Sequence, residues 1–229
     1  MPFPVRRLAL PLPPVSLREV MRYARAGSDP GEQVLAMARE LASETAPLLA
    51  GRICYGEVEV ALEPPRVRLG DALLVESRDL CRNLQGCTRA VLFAATVGLE
   101  LDRRIAREGR LSPARGLLLQ ALGAERIEAL CDAFCQAMEE SLARQGLFPR
   151  PRFSPGYGDL PLECQAPLLQ ALDASRQIGV ALNGSLLMSP SKSVTAIQGF
   201  SPVRRCPSGT PEKCGGCAMA STCPFRRTE

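Results

Sequence analysis

The sequence predicts an α+β fold in which long helices pack on a central antiparallel or mixed sheet. Polar and apolar residues alternate over residues 53–62, a continuous apolar run fills residues 90–97, and apolar residues recur every three or four positions over residues 112–146. These patterns are typical of a half-buried strand, a buried central strand and a long amphipathic helix, respectively. Elements in this order favour helices packed against one sheet.

The other elements of the N-terminal half are defined by their breaks. Prolines interrupt the apolar residues of segment 1–17, which predicts an extended arm lying on the domain. The pattern over residues 16–49 predicts a helical region, which glycine and proline interrupt at 27–31. A proline pair at 64–65 separates the first strand from a second strand-like segment at 67–75.

The C-terminal half continues with a loop rich in proline and glycine at 147–160 and a predicted helix at 161–178. Asn-Gly at 183–184 indicates a turn, and residues 185–200 predict a hairpin that turns at 189–191. The regular pattern then stops. We therefore predict a main domain at 1–200 and a tail at 201–229.

Composition excludes several classes of function. The net charge is only +4, aromatic residues make up 4% of the chain and tryptophan is missing, which argues against a nucleic-acid partner. No uninterrupted apolar run approaches the roughly 20 residues that span a bilayer. Ten cysteines are too few for a secreted disulfide scaffold of this length, so we expect reduced thiols, a cytoplasmic protein and no membrane partner.

The sequence has no histidine. Ser-His and Cys-His catalytic pairs are therefore excluded, and no imidazole can bind zinc, haem or cobalt. Any metal site must consist of thiolates or carboxylates. Cys131 and Cys135 lie one turn apart in the long predicted helix, but free cysteines are often buried, and we expect this pair to face the core.

Four cysteines of the tail form the strongest candidate metal site: Cys206, Cys214, Cys217 and Cys223. The Cys-x-x-Cys pair places two thiolates on one turn, and the flanking cysteines complete a tetrahedral set. The compact spacing and the following Pro224 are compatible with an iron–sulfur cluster. Structural zinc is the alternative, and disulfides or free thiols also remain open. We predict metal binding and favour the cluster.

Three segments resemble one known family. Residues 93–102 read Phe-Ala-Ala-Thr-Val-Gly-Leu-Glu-Leu-Asp, residues 152–157 read Arg-Phe-Ser-Pro-Gly-Tyr, and residues 185–195 contain Met-Ser-Pro and Ser-Val-Thr. The activation domain of cobalamin-dependent methionine synthase carries similar segments in the same order, with a long helix after the first. The resemblance implies a curved α+β domain with a central antiparallel sheet that binds S-adenosylmethionine.

The resemblance also implies roles for four residues. Arg152 takes the place of the family's ligand-binding arginine, whose planar fork suits the methionyl carboxylate. Ser154 replaces an alanine whose backbone contacts the ligand. Gly156 and Tyr157 match the Gly-Tyr of the family's loop, where glycine allows close backbone approach and the tyrosine ring lies near the sulfonium or adenine.

The chain departs from the family in several places. The family's aspartate near the domain start has no identifiable counterpart, and residues 158–164 replace the stretch that follows Gly-Tyr. The cysteine tail stands where the family has paired tyrosines. The family's methyltransferase and cobalamin modules are also missing, and no histidine is present as a lower cobalt ligand. The cobalamin is therefore expected on a partner, either a separate cobalamin-dependent methionine synthase or another corrinoid protein.

The function implied by the resemblance is that of a stand-alone activation subunit, an accessory of a methyltransferase. Such a subunit presents S-adenosylmethionine to cob(II)alamin, which needs one electron and a methyl group to return to methylcobalamin. The electron would come from flavodoxin or ferredoxin, or through the iron–sulfur cluster of the tail. The alternative is a non-catalytic interaction or regulatory module held together by zinc.

Overall fold

The computed structural model describes residues 3–27 and 29–203. Elements are numbered in chain order. The helices are α1 (Leu17–Ala24), α2 (Glu32–Thr45), α3 (Arg78–Asn83), α4 (Leu99–Leu111), α5 (Pro113–Ala143), α6 (Gln165–Ala171) and α7 (Ala174–Ile178). The strands are β1 (Arg6–Ala9), β2 (Arg52–Glu63), β3 (Arg66–Leu69), β4 (Leu73–Glu76), β5 (Arg89–Thr96), β6 (Phe148–Pro149), β7 (Ala181–Leu182), β8 (Met188–Ser189) and β9 (Ser193–Ser201).

An antiparallel sheet forms the centre of the fold. Its strand order is β4-β3-β2-β5-β9-β6, and β1 pairs with β2 outside this path. The two longest pairings join β5 to β2 on one side and to β9 on the other. The predicted α+β fold with long helices on a central antiparallel sheet is therefore confirmed.

Both faces of the central strand are buried, which explains its continuous apolar run. Phe93 and Ala95 point into a core formed with α1, α2, α4 and α5, whereas Leu92 and Ala94 point into a second core beside α3, α6 and α7. In the first core, the ring centroid of Phe134 on α5 lies 4.9 Å from that of Phe93. Because successive side chains of a strand alternate between faces, a strand covered on both sides needs apolar residues at every position.

Helix α5 is the longest element and begins as the sequence predicts. The side chain of Ser112 caps it by accepting a hydrogen bond from the backbone N–H of Arg115, and Pro113 occupies its first turn. The serine satisfies one backbone N–H of the first turn, and proline lacks an N–H that would have no partner in this turn.

Among the helices within residues 3–27 and 29–203, none combines the length and the apolar character of a membrane-spanning segment.

The N-terminal arm is extended as predicted, but its first part is strand β1. Its second part is held by a buried ion pair between neighbouring residues of α5, Glu125 and Arg126. Arg126 donates hydrogen bonds to the carbonyl oxygens of Pro13 and Pro14, and Glu125 accepts one from the backbone N–H of Ser16. Buried charges with this many partners fix the path of the arm over the helix.

Three predicted elements are wrong. The strand-like segment at 67–75 is divided into β3 and β4, which pair antiparallel with each other. The hairpin at 185–200 does not form, because β8 pairs with the preceding β7 and β9 joins the main sheet between β5 and β6. The turn at 183–184 is correct, since the Asn183 side chain accepts hydrogen bonds from Ser185 and Leu187 there. The single helix at 161–178 is divided into α6 and α7, because Asp173 adopts a left-handed conformation with φ of 46°.

Candidate functional site

A cleft of about 300 Å³ lies between α5, the loop at 152–157 and the start of β9. Its lining residues are Glu128, Arg152, Phe153, Ser154, Pro155, Tyr157, Gln165, Met188, Ser193, Val194 and Thr195. Three of the four residues predicted from the loop, Arg152, Ser154 and Tyr157, therefore line one cavity together with residues of the third resembling segment, 185–195. This volume lies at the lower end of the range for ligand pockets.

The loop owes its shape to glycine and to its own backbone hydrogen bonds. Gly156 does not line the cleft, but it has a φ of 88°, a conformation that other residues rarely adopt. Its N–H donates to the carbonyl of Leu160 at 2.9 Å, and the N–H of Tyr157 donates to the carbonyl of Ser154 at 3.1 Å. The predicted loop-shaping role of Gly156 is consistent with this geometry.

One end of the loop is attached to the central sheet. Phe153 and Ile197 of β9 exchange two backbone hydrogen bonds, each 2.8 Å long. The side chain of Asn83 at the end of α3 donates to the carbonyl of Pro151 at 3.0 Å. These contacts fix the backbone on both sides of Arg152 and direct its side chain towards α5.

The other end of the loop is attached to the start of α3 through Asp159. Its carboxylate accepts hydrogen bonds from the Ser77 hydroxyl at 2.5 Å, the Arg78 N–H at 2.8 Å and the Asp79 N–H at 3.1 Å. The Ser77 hydrogen bond, followed by the two backbone donors, lowers the pKa of Asp159. A charged carboxylate at free N–H groups is the arrangement that caps a helix. The loop and α3 therefore stabilise each other.

The guanidinium of Arg152 is paired with two carboxylates of α5. Its Nη1 donates to Oδ1 of Asp132 at 2.6 Å, and its Nη2 donates to Oε2 of Glu128. The two acidic residues lie one turn apart, so a single guanidinium spans them. Burial acts to lower the pKa of Arg152, but the acidic groups of Cys131, Glu128 and Asp132 together raise it.

From the sequence, the guanidinium of Arg152 was expected to be available to a ligand, and Glu128 and Asp132 were not predicted as its partners. The sequence offers one signal for them, because these two acids lie four residues apart and therefore on one face of the predicted helix. Their pairing with a residue on a distant loop depends on the tertiary fold.

Gln165 is a second polar group that the sequence analysis missed. It stands at the start of α6, lines the cleft and is only 5% exposed. Among the residues that the structure describes, no hydrogen-bond donor reaches its side-chain oxygen Oε1. Buried polar atoms almost always have a partner, and one without a partner beside a cavity favours a ligand that donates a hydrogen bond there.

The first resembling segment does not line the cleft but supports its edge. Asp102 of α4 accepts hydrogen bonds from the N–H of Ser191 at 2.6 Å and from its hydroxyl at 2.7 Å. These contacts hold the turn that leads from β8 into β9. Residues 193–195 of the cleft follow directly, so their position depends on Asp102.

The predicted core position of Cys131 is confirmed, since its side chain is fully buried, whereas Cys135 is partly buried. Burial raises the pKa of both thiols. Within residues 3–27 and 29–203, no group of three or more cysteine or acidic side chains is arranged to hold a metal ion. The predicted metal ligands Cys206, Cys214, Cys217 and Cys223 lie outside the described residues.

Comparisons with known proteins find similarity to solved structures. No family model and no curated protein matches the sequence. Among solved structures, the crystal structure of the MetH reactivation domain bound to AdoHcy matches with a TM-score of 0.65 and 16% identity. The match covers 89% of this chain and 80% of that chain. The chain has the fold of the MetH reactivation domain. At this identity, the similarity shows the fold alone.

We predict that Gly158→Ala destabilises the domain by about 2–4 kcal/mol, because a left-handed alanine costs about 1–2 kcal/mol and a steric clash adds to it. Gly158 has a φ of 54°, and a Cβ atom there would meet Oδ2 of Asp79 and lie 3.0 Å from its Cβ. Asp79 cannot move freely, because its Oδ2 accepts from the Asp159 N–H.

Gly146→Ala is the matched control, since Gly146 has a φ of 73° but no atom within 4 Å of its added Cβ. We expect it to cost only the conformational term, about 1–2 kcal/mol. Urea unfolding of both variants gives the comparison. Equal losses of stability would show that the contact with Asp79 does not constrain the loop.

Proposed function

We propose that this chain binds S-adenosylmethionine in the cleft at 152–157 and supports reductive remethylation of cob(II)alamin on a separate cobalamin-dependent methionine synthase. One observation carries the proposal. Two segments that are distant in sequence, and that resemble the same family, line one cavity in a fold shared with the MetH reactivation domain bound to AdoHcy. The known ligand of that neighbour supports S-adenosylmethionine as the ligand class here.

The amino-acid end of the ligand would lie at Arg152 and Glu128. S-Adenosylmethionine carries a carboxylate and an ammonium on the same carbon atom, so its site needs a cation and an anion close together. Arg152 and Glu128 are paired in the structure and both line the cleft. A guanidinium fork accommodates a carboxylate through two parallel hydrogen bonds, and the Glu128 carboxylate would accept from the ammonium.

The nucleoside end would lie at the other side of the cleft, where it would contact both apolar and polar groups. Tyr157 is 63% exposed at the rim, and Met188 and Val194 add apolar surface. The free Oε1 atom of Gln165 would accept a hydrogen bond from the amino group of adenine or a ribose hydroxyl. Ser154 would contact the ligand through its backbone.

The bound S-adenosylmethionine would supply the methyl group. One electron added to cob(II)alamin, followed by transfer of the methyl group without its bonding electron pair, gives methylcobalamin and leaves S-adenosylhomocysteine. The residues of this chain would bind the ligand and orient its sulfonium towards the corrinoid. Because the chain has no histidine, a lower histidine ligand of cobalt would have to come from the partner.

The electron would reach the cobalt from flavodoxin, from ferredoxin or through the tail. The cysteine spacing of the tail supports a cluster of the ferredoxin type, with zinc as the alternative. A cluster would make the tail an electron carrier beside the corrinoid. A zinc ion would make it a structural element and would favour a domain that binds partners without taking part in catalysis.

We expect Arg152→Ala to weaken S-adenosylmethionine binding by about tenfold to a hundredfold, because a charge-assisted hydrogen bond contributes roughly 1.5–3 kcal/mol. Arg152→Lys should recover only part of the affinity, since an ammonium lacks the planar fork. Titration calorimetry measures the dissociation constants. Arg176→Ala is the control, because this side chain is 87% exposed and lies outside the cleft, and it should bind like the unmodified protein. Equal affinity in all four proteins would remove Arg152 from the site.

The metal prediction concerns the tail. Cys214→Ser combined with Cys217→Ser should abolish metal content, because two thiolates of four are lost. Cys135→Ala serves as the control and should retain the metal, since Cys135 belongs to the main domain. Iron and acid-labile sulfide in anaerobically purified protein would support the cluster, and stoichiometric zinc would support the alternative. Full metal retention in the double variant would contradict both assignments.

A further inference from the structure

Asp132 differs from Glu128 in its position relative to the cleft, although both pair with Arg152. Glu128 lines the cleft, whereas Asp132 lines only a neighbouring groove between α1 and α5. The Asp132 side chain is 60% exposed, and that of Glu128 is 36% exposed. Asp132 therefore holds the guanidinium from the solvent side of α5.

This contact occupies a group that the ligand needs. Both terminal nitrogens of Arg152 donate to protein carboxylates, Nη1 to Asp132 and Nη2 to Glu128. A ligand carboxylate that binds through the two-pronged fork needs two N–H groups on one side of the guanidinium. It must therefore displace a protein carboxylate or share nitrogens with it. Asp132 is the weaker competitor, because an ion pair this exposed contributes little free energy.

We propose that Asp132 is an affinity-limiting residue of the cleft, which competes with the carboxylate of an amino-acid-bearing ligand for Arg152. The inference rests on the proposed function and adds a regulatory contact to it. In the absence of ligand, the Asp132 carboxylate pairs with Arg152 and occupies its donor Nη1. When a ligand binds, its carboxylate takes over Nη1, and Asp132 is released to solvent on the groove side.

The proposal makes the effect of Asp132 depend on the ligand's carboxylate. S-Adenosylhomocysteine and 5′-methylthioadenosine are both adenosine thioethers, but only the first carries the amino-acid group. Removing the charge of Asp132 weakens its contact with Nη1, because an amide oxygen is a poorer acceptor than a carboxylate, and eliminates the repulsion between two carboxylates. It should therefore strengthen binding of the first compound and leave binding of the second unchanged.

The test is titration calorimetry of the unmodified chain, Asp132→Asn and Asp132→Glu with both compounds. We expect Asp132→Asn to bind S-adenosylhomocysteine about threefold to fivefold more tightly, the upper part of the range for loss of one exposed competing charge. Its affinity for 5′-methylthioadenosine should stay within about twofold of the unmodified value. Asp132→Glu keeps the charge and should not show the gain.

The outcomes separate the inference from the proposed function. Unchanged or weaker binding of S-adenosylhomocysteine to Asp132→Asn would overturn the inference, because Asp132 would then support Arg152 in its binding position. An equal gain for both compounds would overturn it as well. If neither the unmodified chain nor Asp132→Asn binds S-adenosylhomocysteine, the proposed function fails together with the inference.

Discussion

The geometry of the candidate site depends on one contact, the pairing of Arg152 with the two carboxylates of α5. The loop that carries Arg152 is attached to β9 through Phe153 and to α3 through Asp159, so its backbone is fixed on the sheet side. The Arg152 side chain then crosses to Glu128 and Asp132 and closes the cleft against the helix. Without this contact, the loop and the helix would line the same space but would present no defined charge to a ligand.

Helix α5 can provide this wall because its other contacts fix it independently. Phe134 packs into the core beneath the sheet, and the buried pair of Glu125 and Arg126 holds the N-terminal arm. Closely packed protein cores have low compressibility, so a helix that is fixed on several sides keeps its surface residues in defined places. The fold thus separates two tasks: apolar contacts position the helix, and its acidic residues at the cleft set the electrostatics of the site.

The parts of the fold with a strong periodic signal were predictable from the sequence. The elements β2, β5 and α5 have long, regular sequence patterns, and the structure confirms all three. Helices α3 and α4 were missed, because α3 has only six residues and α4 carries mainly charged residues. The predicted hairpin failed because the choice of partner for β9 depends on the whole sheet. The loop residues of the cleft came from family resemblance, whereas the pairing of Glu128 with Arg152 and the position of Gln165 at the cleft depend on tertiary contacts.

We propose the cleft at 152–157 as the binding site for S-adenosylmethionine. A crystal structure of the chain grown with S-adenosylhomocysteine tests it most directly, because this compound is the expected product and lacks the reactive methyl group. We expect ligand density between the loop and β9, with the carboxylate bonded to Arg152 and a donor of the nucleoside bonded to Oε1 of Gln165. Density for the ligand at another place, or a cleft without ligand at saturating concentration, would contradict it.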